Sequence, residues 1–121
     1  NKEFKENLSI GILIESVKGI DNAENLLQSP SIDFVYFGAY DLSVEIGKPG
    51  EIFNNEIINY LKILIGHAKQ NKKKILAIYR NPKELDILFK LGIELPVASV
   101  DTSHLMNKLK AETSNYKKTI N

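Results

Sequence analysis

Two runs of apolar residues, each followed by a carboxylate, most constrain what this chain can fold into. The first run covers residues 9–14 and precedes Glu15, and the second covers residues 32–37 and leads to Asp41. Both are rich in Ile, Val and Phe with almost no polar alternation, which predicts strands covered on both faces, as in a parallel sheet. Ligands of such sheets bind beyond the carboxyl ends of the strands. The sequence therefore places Glu15 and Asp41 where chemistry is expected.

Two carboxylates at neighbouring strand ends have more than one interpretation. They can hold a hard divalent cation through oxygen ligands, or divide into an acid and a base. In a purely structural interpretation, Glu15 caps the turn after its strand and Asp41 opens a helix, because Asp is a favoured N-cap residue. Spacing alone leaves these alternatives open.

The rest of the chain continues the alternation of strand and helix. Helical patterns cover residues 18–27, 57–68, 82–91 and 101–112, a helical turn is expected at 41–46, and further strands are expected at 74–79 and 95–100. In the helix at 82–91, Leu85, Leu88 and Phe89 are expected to face the core. No hairpin signal separates the strands, so four strand–helix units predict parallel strands with right-handed crossovers. Both a doubly wound sheet and half of a (β/α)8 barrel, which needs about 250 residues, fit this pattern.

Composition narrows the function classes. The 121 residues, 43% hydrophobic and 26% charged, predict one soluble domain over residues 1–121. The net charge of +1 indicates neither a nucleic-acid nor a membrane partner, and the lysines at 72–74 and 117–118 are expected to be solvated. The absence of cysteine excludes thiolate chemistry and fits a reducing, cytoplasmic location. Residues 1–8 are expected to end a preceding helix, and the polar residues after 112 are expected to fray.

Around the two carboxylates the sequence resembles a known family. The resemblance lies in Ile-Glu-Ser at 14–16, Gly-Ile-Asp-Asn-Ala-Glu-Asn-Leu-Leu at 19–27, Ile-Asp-Phe-Val-Tyr-Phe-Gly-Ala-Tyr-Asp-Leu-Ser at 32–43 and Glu-Ile-Gly at 45–47. It continues through 91–92 and 100–102. These segments are similar to the HpcH/HpaI family of 2-oxo-acid aldolases and citrate lyase β-subunits. In that family, a Glu ending one barrel strand and the Asp of a Gly-x-x-Asp-Leu-Ser motif ending the next hold a divalent metal.

The resemblance implies the C-terminal half of a TIM (β/α)8 barrel and a metal-dependent lyase that cleaves a 4-hydroxy-2-oxo acid to pyruvate and an aldehyde. It implies that Glu15 and Asp41 hold Mg²⁺, Mn²⁺ or Co²⁺, a Lewis acid that stabilises the pyruvate enolate. It also implies that Gly38, Ala39, Tyr40 and Asp41 form the substrate-binding turn. The backbone amides around Ala39 and Tyr40 are then expected to hold the carboxylate of the 2-oxo acid.

Departures from the family pattern keep other functions open. Leu13 stands where the aldolases often have Gln, and Ala39-Tyr40 replaces their Pro-Ala, which is closer to the citrate lyase branch that cleaves acyl-CoA thioesters. The C-terminal part lacks the Ile-His-Pro signature of that branch and resembles the aldolases. The ketone-polarising Arg and the His base of the family come from early barrel strands, which would precede Asn1. A non-catalytic half-barrel remnant is therefore a third hypothesis.

The remaining titratable candidates have weaker patterns. His67 and His104 fall inside helical patterns and are expected to be structural. Arg80 follows the third strand and is expected either to touch the substrate or a neighbouring loop, or to cap its own turn. The resemblance further implies a homo-oligomer that associates through C-terminal helices, where an apolar stripe is formed by Leu105, Met106 and Leu109.

Overall fold

The computed structural model describes residues 8–98 and 100–120, with only the backbone of residues 117, 119 and 120. The predicted helix end before the first strand therefore lies, apart from Leu8, outside the described residues. The strands are β1 (Gly11–Ile14), β2 (Phe34–Phe37), β3 (Lys74–Tyr79) and β4 (Leu95–Ala98). The helices are α1 (Val17–Asp21), α2 (Ala23–Leu27), α3 (Ala39–Glu45), α4 (Asn55–Gln70), α5 (Pro82–Leu91) and α6 (Asp101–Ile120).

The four strands form one parallel sheet in the order β1-β2-β3-β4. A doubly wound sheet reverses its strand order at a switch point, whereas here each strand pairs with the next one along the chain. The sequential order is that of consecutive units of a (β/α)8 barrel. Of the two architectures that the sequence allowed, only the half-barrel fits.

Helices cover one face of the sheet. The strands contribute Val35, Phe37 and Ile75 to a single cluster of buried apolar residues. Helix α4 supplies the largest helical share, namely Ile57, Leu61, Leu64, Ile65 and Ala68. Each fully buried Leu or Ile contributes about 1.5–3 kcal/mol to folding, so this stripe is a main source of stability. The apolar periodicity of α4 in the sequence is confirmed.

The opposite face of the sheet, hereafter the open face, is only partly covered. Leu13, Tyr36, Leu76 and Leu95 form one register row across the four strands. Leu13 is 52% exposed and Leu95 is 38% exposed, whereas Val35 in the neighbouring row is fully buried. In a closed barrel this face points inward.

Three strands are shorter than predicted, and β1 and β2 show why. Near their predicted starts at residues 9 and 32, a side chain takes the place of a backbone hydrogen bond between the two strands. Asp33 Oδ2 accepts a hydrogen bond from the Ile10 amide at 2.7 Å. The Asp33 amide donates to the Ile10 carbonyl, also at 2.7 Å. The chains are thus still in contact there, but regular pairing begins only at Gly11 and Phe34. Strand β4 ends at Ala98 rather than at residue 100.

Two helix predictions are wrong in extent. The predicted helix at 18–27 is split at Asn22, whose φ of −97° and ψ of 4° leave the helical region. The Asn22 side chain donates to the Lys18 carbonyl at 2.7 Å, an alternative to continued helical bonding that Asn favours. Helix α6 continues to Ile120 instead of ending near residue 112. No Gly or Pro interrupts its sequence, and Lys108 pairs with Glu112 one turn later at 2.7 Å.

Helix α5 has the predicted bounds but not the predicted buried face. Asn81 caps it by accepting from the Glu84 amide, and Gly92 ends it in the left-handed conformation with φ of 87°. Leu88 is fully buried, but Phe89 is 55% exposed, so its prediction as a core residue is wrong. The buried stripe runs from Glu84 to Leu88, four residues apart, and Phe89 lies about 100° further round the helix.

The lysines at 72–74 are not all solvated. Lys72 and Lys74 are exposed, but the Lys73 ammonium donates to the carbonyls of Ser29 at 3.0 Å and Ile32 at 2.5 Å. In the turn between α2 and β2 the Ser29 carbonyl also accepts from the Ile32 amide at 3.3 Å, and Lys73, from the turn before β3, supplies a further donor to this turn. Within the described ranges, every helix is too short or too polar to cross a membrane.

Candidate functional site

The carboxyl ends of β1 and β2 meet at Gly38. Its amide donates to the carbonyl of Ile14 at 2.8 Å. A Cβ atom at Gly38 would lie 2.3 Å from the Cβ of Glu15 and 3.1 Å from the Cα of Glu15. Only glycine permits this approach, because the second of these atoms belongs to the backbone. Glu15 is thereby held beside the turn that leads to Asp41.

Neither Glu15 nor Asp41 has the structural role that the sequence left open. Ser16, not Glu15, caps α1, through its Oγ and the Gly19 amide at 3.0 Å. Gly38 is the N-cap of α3, and Asp41 lies within the first turn of that helix. Neither carboxylate forms a hydrogen bond or ion pair with any residue that the structure describes. Both are available to bind a ligand.

The donor set fits a hard divalent cation. No three Asp, Glu or His side chains converge on one point anywhere in the described part of the chain, so a cation beside Glu15 and Asp41 would draw at most two carboxylate or imidazole ligands from it. Mg²⁺ is commonly held by one or two carboxylates, and water and substrate supply its other ligands. Glu15 and Asp41 suit an ion of that kind and not one that needs a closed protein cage.

A glutamate that was not predicted as a site residue joins the two turns after β1 and β2. Glu45 Oε2 accepts a hydrogen bond from the Val17 amide at 3.0 Å. Val17 lies two residues after Glu15, and Glu45 lies one helical turn after Asp41. Glu45 begins the Glu-Ile-Gly segment of the family resemblance, but the resemblance assigned it no role and did not indicate the Val17 amide as its partner.

Ser43 holds the loop that follows α3. It is fully buried, and its Oγ donates to the Tyr40 carbonyl at 2.6 Å and accepts from the Gly50 amide at 2.9 Å. Its own carbonyl accepts from the Lys48 amide at 2.7 Å. The Ser of the Asp-Leu-Ser motif therefore fixes the long loop against the candidate site.

We expect Ser43→Ala to lower the free energy of unfolding by about 1–3 kcal/mol, because it leaves the Gly50 amide without its acceptor. Ser114→Ala, on the exposed surface of α6, is the matched control and should change stability by no more than about 0.5 kcal/mol. Urea denaturation of both variants measures the difference. Equal stabilities would show that the loop is not held through Ser43.

Arg80 joins the end of β3 to the same loop. Its Nη1 donates to the Gly50 carbonyl at 3.1 Å, and its Nε donates to Glu84 Oε1 at 3.0 Å. Its backbone amide also donates to Glu84 Oε2 at 2.8 Å. Of the alternatives stated for Arg80, the structure shows contact with a neighbouring loop, through Gly50, and contact within its own turn, through Glu84. Contact with a substrate stays a prediction. Glu84 raises the pKa of Arg80 most, and the hydroxyl of Tyr40 raises it further.

The pKa of Glu84 depends on its contact with Arg80. Burial alone raises the pKa of Glu84, but the hydrogen bonds and charge of Arg80 outweigh it and lower the pKa below 4.5. Because the folded-state pKa is depressed, the carboxylate stabilises the fold above its unfolded-state pKa. This contribution is lost as the pH falls through the folded-state pKa.

Glu84→Gln is accordingly expected to lower the free energy of unfolding by about 1–3 kcal/mol near neutral pH. This gap in stability between the variant and the wild type should narrow as the pH falls below about 4.5. Urea denaturation at a series of pH values measures the gap. Glu94→Gln, at an exposed residue without a hydrogen bond to the described residues, is the control and should show no gap. A gap that stays constant with pH would contradict the pairing.

The histidines lie on helices, as predicted. His67 is in α4, and its Nδ1 is buried without a hydrogen-bond partner among the described residues. His104 is in α6, with its Nε2 3.4 Å from the Ala98 carbonyl. Neither residue follows a strand directly, and their structural role stays a prediction.

Comparison with known proteins identifies the family. The family profile described as HpcH/HpaI aldolase/citrate lyase matches residues 2–108. The chain belongs to the HpcH/HpaI aldolase/citrate lyase family. Its resemblance at Glu15 and at the Gly-x-x-Asp-Leu-Ser motif is thereby confirmed at the level of family membership.

Two curated relatives of this chain are named as aldolases. The hydroxypyruvate/pyruvate aldolase of Chromohalobacter salexigens is 29% identical over 116 residues, which are 93% of this chain and 44% of that protein. The 5-keto-4-deoxy-D-glucarate aldolase of Klebsiella pneumoniae is 31% identical over 71 residues, 59% of this chain and 28% of that protein. This chain thus spans less than half the length of either relative.

Solved structures confirm the fold class. The citrate synthase SbnG superposes with a TM-score of 0.87 at 19% identity, covering 98% of this chain and 48% of that one. An HpcH/HpaI aldolase from Desulfitobacterium hafniense superposes with a TM-score of 0.87 at 19% identity. That match covers 96% of this chain and 45% of the aldolase chain. At such identities the likeness concerns the fold alone. The four parallel βα units of this HpcH/HpaI chain are equivalent to about half of these TIM-barrel-type proteins.

Proposed function

We propose that this chain provides the metal-binding half of a carbon–carbon lyase that cleaves a 4-hydroxy-2-oxo acid to pyruvate and an aldehyde. The observation that carries the proposal is the pair of unpartnered carboxylates, Glu15 and Asp41, at neighbouring strand ends around Gly38. Ligands of parallel sheets bind beyond the carboxyl ends of the strands, which is where both carboxylates lie. The aldolase names of both curated relatives support this reaction over the cleavage of acyl-CoA thioesters.

In the proposed site, Glu15 and Asp41 hold Mg²⁺, Mn²⁺ or Co²⁺. When bound, the ion supplies positive charge that stabilises the negative charge developing on the substrate oxygen. Beyond the strand ends Glu15 is half-buried and Asp41 is exposed, so both remain in contact with solvent. Glu45 keeps the two turns that carry them in register through the Val17 amide.

The substrate carboxylate is assigned to the start of α3. The first N–H groups of a helix have no partner within the helix and carry a partial positive charge. Gly38 lets the chain pass close to Glu15, and the amides of Ala39 and Tyr40 follow it directly. A small 2-oxo acid that meets the ion through its oxygens can meet these amides through its carboxylate. The proposal assigns no catalytic acid or base to this chain.

Pyruvate release tests the proposed reaction on the polypeptide as its source produces it. The protein is stripped with a chelator and supplied with a 4-hydroxy-2-oxo acid, and pyruvate is measured by a coupled dehydrogenase. We expect no release without metal and recovered release with Mg²⁺ or Mn²⁺. Asp86→Asn, at an exposed residue of α5, is the control and should behave as the wild type.

Three results would overturn the aldolase assignment. Release that resists the chelator would exclude the metal. Cleavage of citryl-CoA or malyl-CoA without pyruvate release would favour the citrate lyase branch, to which Ala39-Tyr40 is closer. Metal binding without turnover of either substrate class would favour the non-catalytic half-barrel.

We also propose that copies of the protein associate through α6. Leu105, Met106 and Leu109 are 61%, 50% and 52% exposed on this helix. A row of large apolar side chains on one helix commonly marks an interface. Sedimentation velocity of the wild type and of Leu105→Lys with Leu109→Lys tests this proposal, since the double variant should sediment as a smaller species.

A further inference from the structure

Arg80, which directly follows β3, reaches the long loop between α3 and α4, residues 46–54. Its Nη1 donates to the Gly50 carbonyl at 3.1 Å, and the Gly50 amide donates to Ser43 Oγ at 2.9 Å. Ser43 lies two residues after Asp41 on the same helix. Gly50 is therefore held from two sides, by the helix that carries Asp41 and by the end of the neighbouring strand. Ser43, Gly50 and Arg80 are hereafter the loop clamp.

Helix α3, which carries Asp41, is too short to hold its position alone. Its N-cap is Gly38, and no side chain of the described residues caps it. Of its seven residues, only Leu42 is both large and buried. A helix of this length is not stable by itself, so its position depends on contacts with its neighbours. The loop clamp is such a contact on the side of β3, and the hydrogen bond from the Val17 amide to Glu45 is one on the side of β1.

Glu84 fixes the guanidinium of Arg80 and balances its charge. Glu84 Oε1 accepts from Arg80 Nε at 3.0 Å and from Nη2, and Glu84 Oε2 accepts from the Arg80 amide at 2.8 Å. Because the guanidinium is planar and rigid, these contacts also set the direction in which Nη1 meets Gly50. The paired charges cancel, so Arg80 adds no net positive charge to the edge of the sheet where Asp41 lies.

Tyr40 provides a second connection between Arg80 and α3. Glu84, and after it the Tyr40 hydroxyl, raise the pKa of Arg80, which is consistent with a phenol beside the guanidinium. Tyr40 directly precedes Asp41, and its carbonyl accepts from Ser43 Oγ at 2.6 Å. Arg80 thus acts on the residue before Asp41 as well as on the loop that Ser43 holds after it.

We propose that Arg80 is a positioning residue of the metal site, which holds α3 through the loop clamp so that Asp41 and Glu15 bind the same cation. The inference rests on the proposed function, because it needs a cation at these two carboxylates. In this role Arg80 contacts neither the cation nor the substrate. Removing a side chain that orients a metal ligand typically weakens metal binding by about 10- to 100-fold.

Two variants of the polypeptide as its source produces it test the inference. Arg80→Met combined with Glu84→Gln removes the clamp without leaving a carboxylate unpaired. Arg80→Lys keeps a positive charge beside Glu84, but a single ammonium group cannot reproduce the planar set of donors that also reaches Gly50. We expect both variants to weaken Mn²⁺ binding by about tenfold in calorimetric titration of the chelator-stripped protein. Without metal, amide hydrogen exchange in the 46–54 loop should be faster in both.

Ile65→Val in α4 is the matched control for a general loss of stability. Ile65 is buried in the core, so shortening it lowers the free energy of unfolding without removing a contact of the loop clamp. This variant should keep the Mn²⁺ affinity and the loop exchange of the wild type. Urea denaturation establishes that all variants are folded under the conditions of the titration.

The outcomes separate this inference from the proposed function. Wild-type Mn²⁺ affinity in both Arg80 variants would overturn the inference and leave the metal site intact, and with faster loop exchange it would reduce Arg80 to a support of the loop. Wild-type affinity in Arg80→Lys alone would assign the effect to charge and also overturn the clamp. If the wild type itself binds no Mn²⁺, the proposed metal site fails and the inference fails with it.

Discussion

Gly38→Ala is expected to destabilise the protein by about 3 kcal/mol, the upper range for an overpacked site. The added methyl group would lie 2.3 Å from the Cβ of Glu15 and 3.1 Å from its Cα. The first contact cannot be relieved by a rotamer change, because a Cβ position is fixed by the backbone. The ends of β1 and β2 therefore have to separate, and the hydrogen bond from Gly38 to Ile14 lengthens or breaks.

Gly66→Ala is the matched control for this prediction. Gly66 lies in α4, and a Cβ there meets no atom within 4 Å. Replacing glycine by alanine in an exposed helix stabilises it by roughly 0.5–1 kcal/mol. Urea denaturation should thus show opposite signs for the same chemical change at two glycines. A Gly38→Ala variant as stable as the wild type would show that the strand ends are not packed as described.

Glu15→Gln and Asp41→Asn are each expected to weaken binding of Mn²⁺ by about 100-fold, equivalent to ~2.8 kcal/mol. Each variant keeps the shape of the side chain and removes the charge that a hard cation requires. Calorimetric titration of the chelator-stripped protein measures the affinity directly. Unchanged affinity in either variant would remove that residue from the site.

The stability of the same two variants distinguishes a ligand site from a structural role. Glu15 and Asp41 form no hydrogen bond or ion pair within the described residues, so neutralising them should not lower the free energy of unfolding in the absence of metal. Glu24→Gln in α2 and Asp86→Asn in α5 serve as matched exposed controls and should retain the Mn²⁺ affinity of the wild type. Loss of stability without metal in the Glu15 variant would mean that this side chain supports the turn after all.

The elements that the sequence predicts well are those defined by local signals. Strand β3 and helix α5 have the predicted bounds, because Asn81-Pro82 marks a helix start and Gly92 marks a helix end. The buried stripe of α4 follows from its periodicity alone. Family resemblance added what periodicity cannot supply, namely that the four units form half of a barrel rather than a doubly wound sheet.

The features that the sequence does not reveal depend on contacts between distant segments. From the sequence, Lys73 is expected to be one of three solvated lysines, yet its ammonium donates to the carbonyls of Ser29 and Ile32, more than 40 positions away in the sequence. Glu45 and Ser43 hold the candidate site through the Val17 and Gly50 amides, and no local pattern indicates these partners. Phe89 belongs to the apolar pattern of α5, but the buried stripe of that helix follows Glu84 and Leu88, and which part of an apolar pattern is buried depends on the packing partner.

The open face of the sheet links the stability of this chain to its surroundings. A surface that covers Leu13 and Leu95 contacts the folded chain but has nothing equivalent to bind on the unfolded one. By mass action, the concentration of that surface then enters the free energy of unfolding, which rises by about 1.4 kcal/mol for each tenfold increase above the dissociation constant. The melting temperature of such a half-barrel is therefore a property of the solution as well as of the sequence.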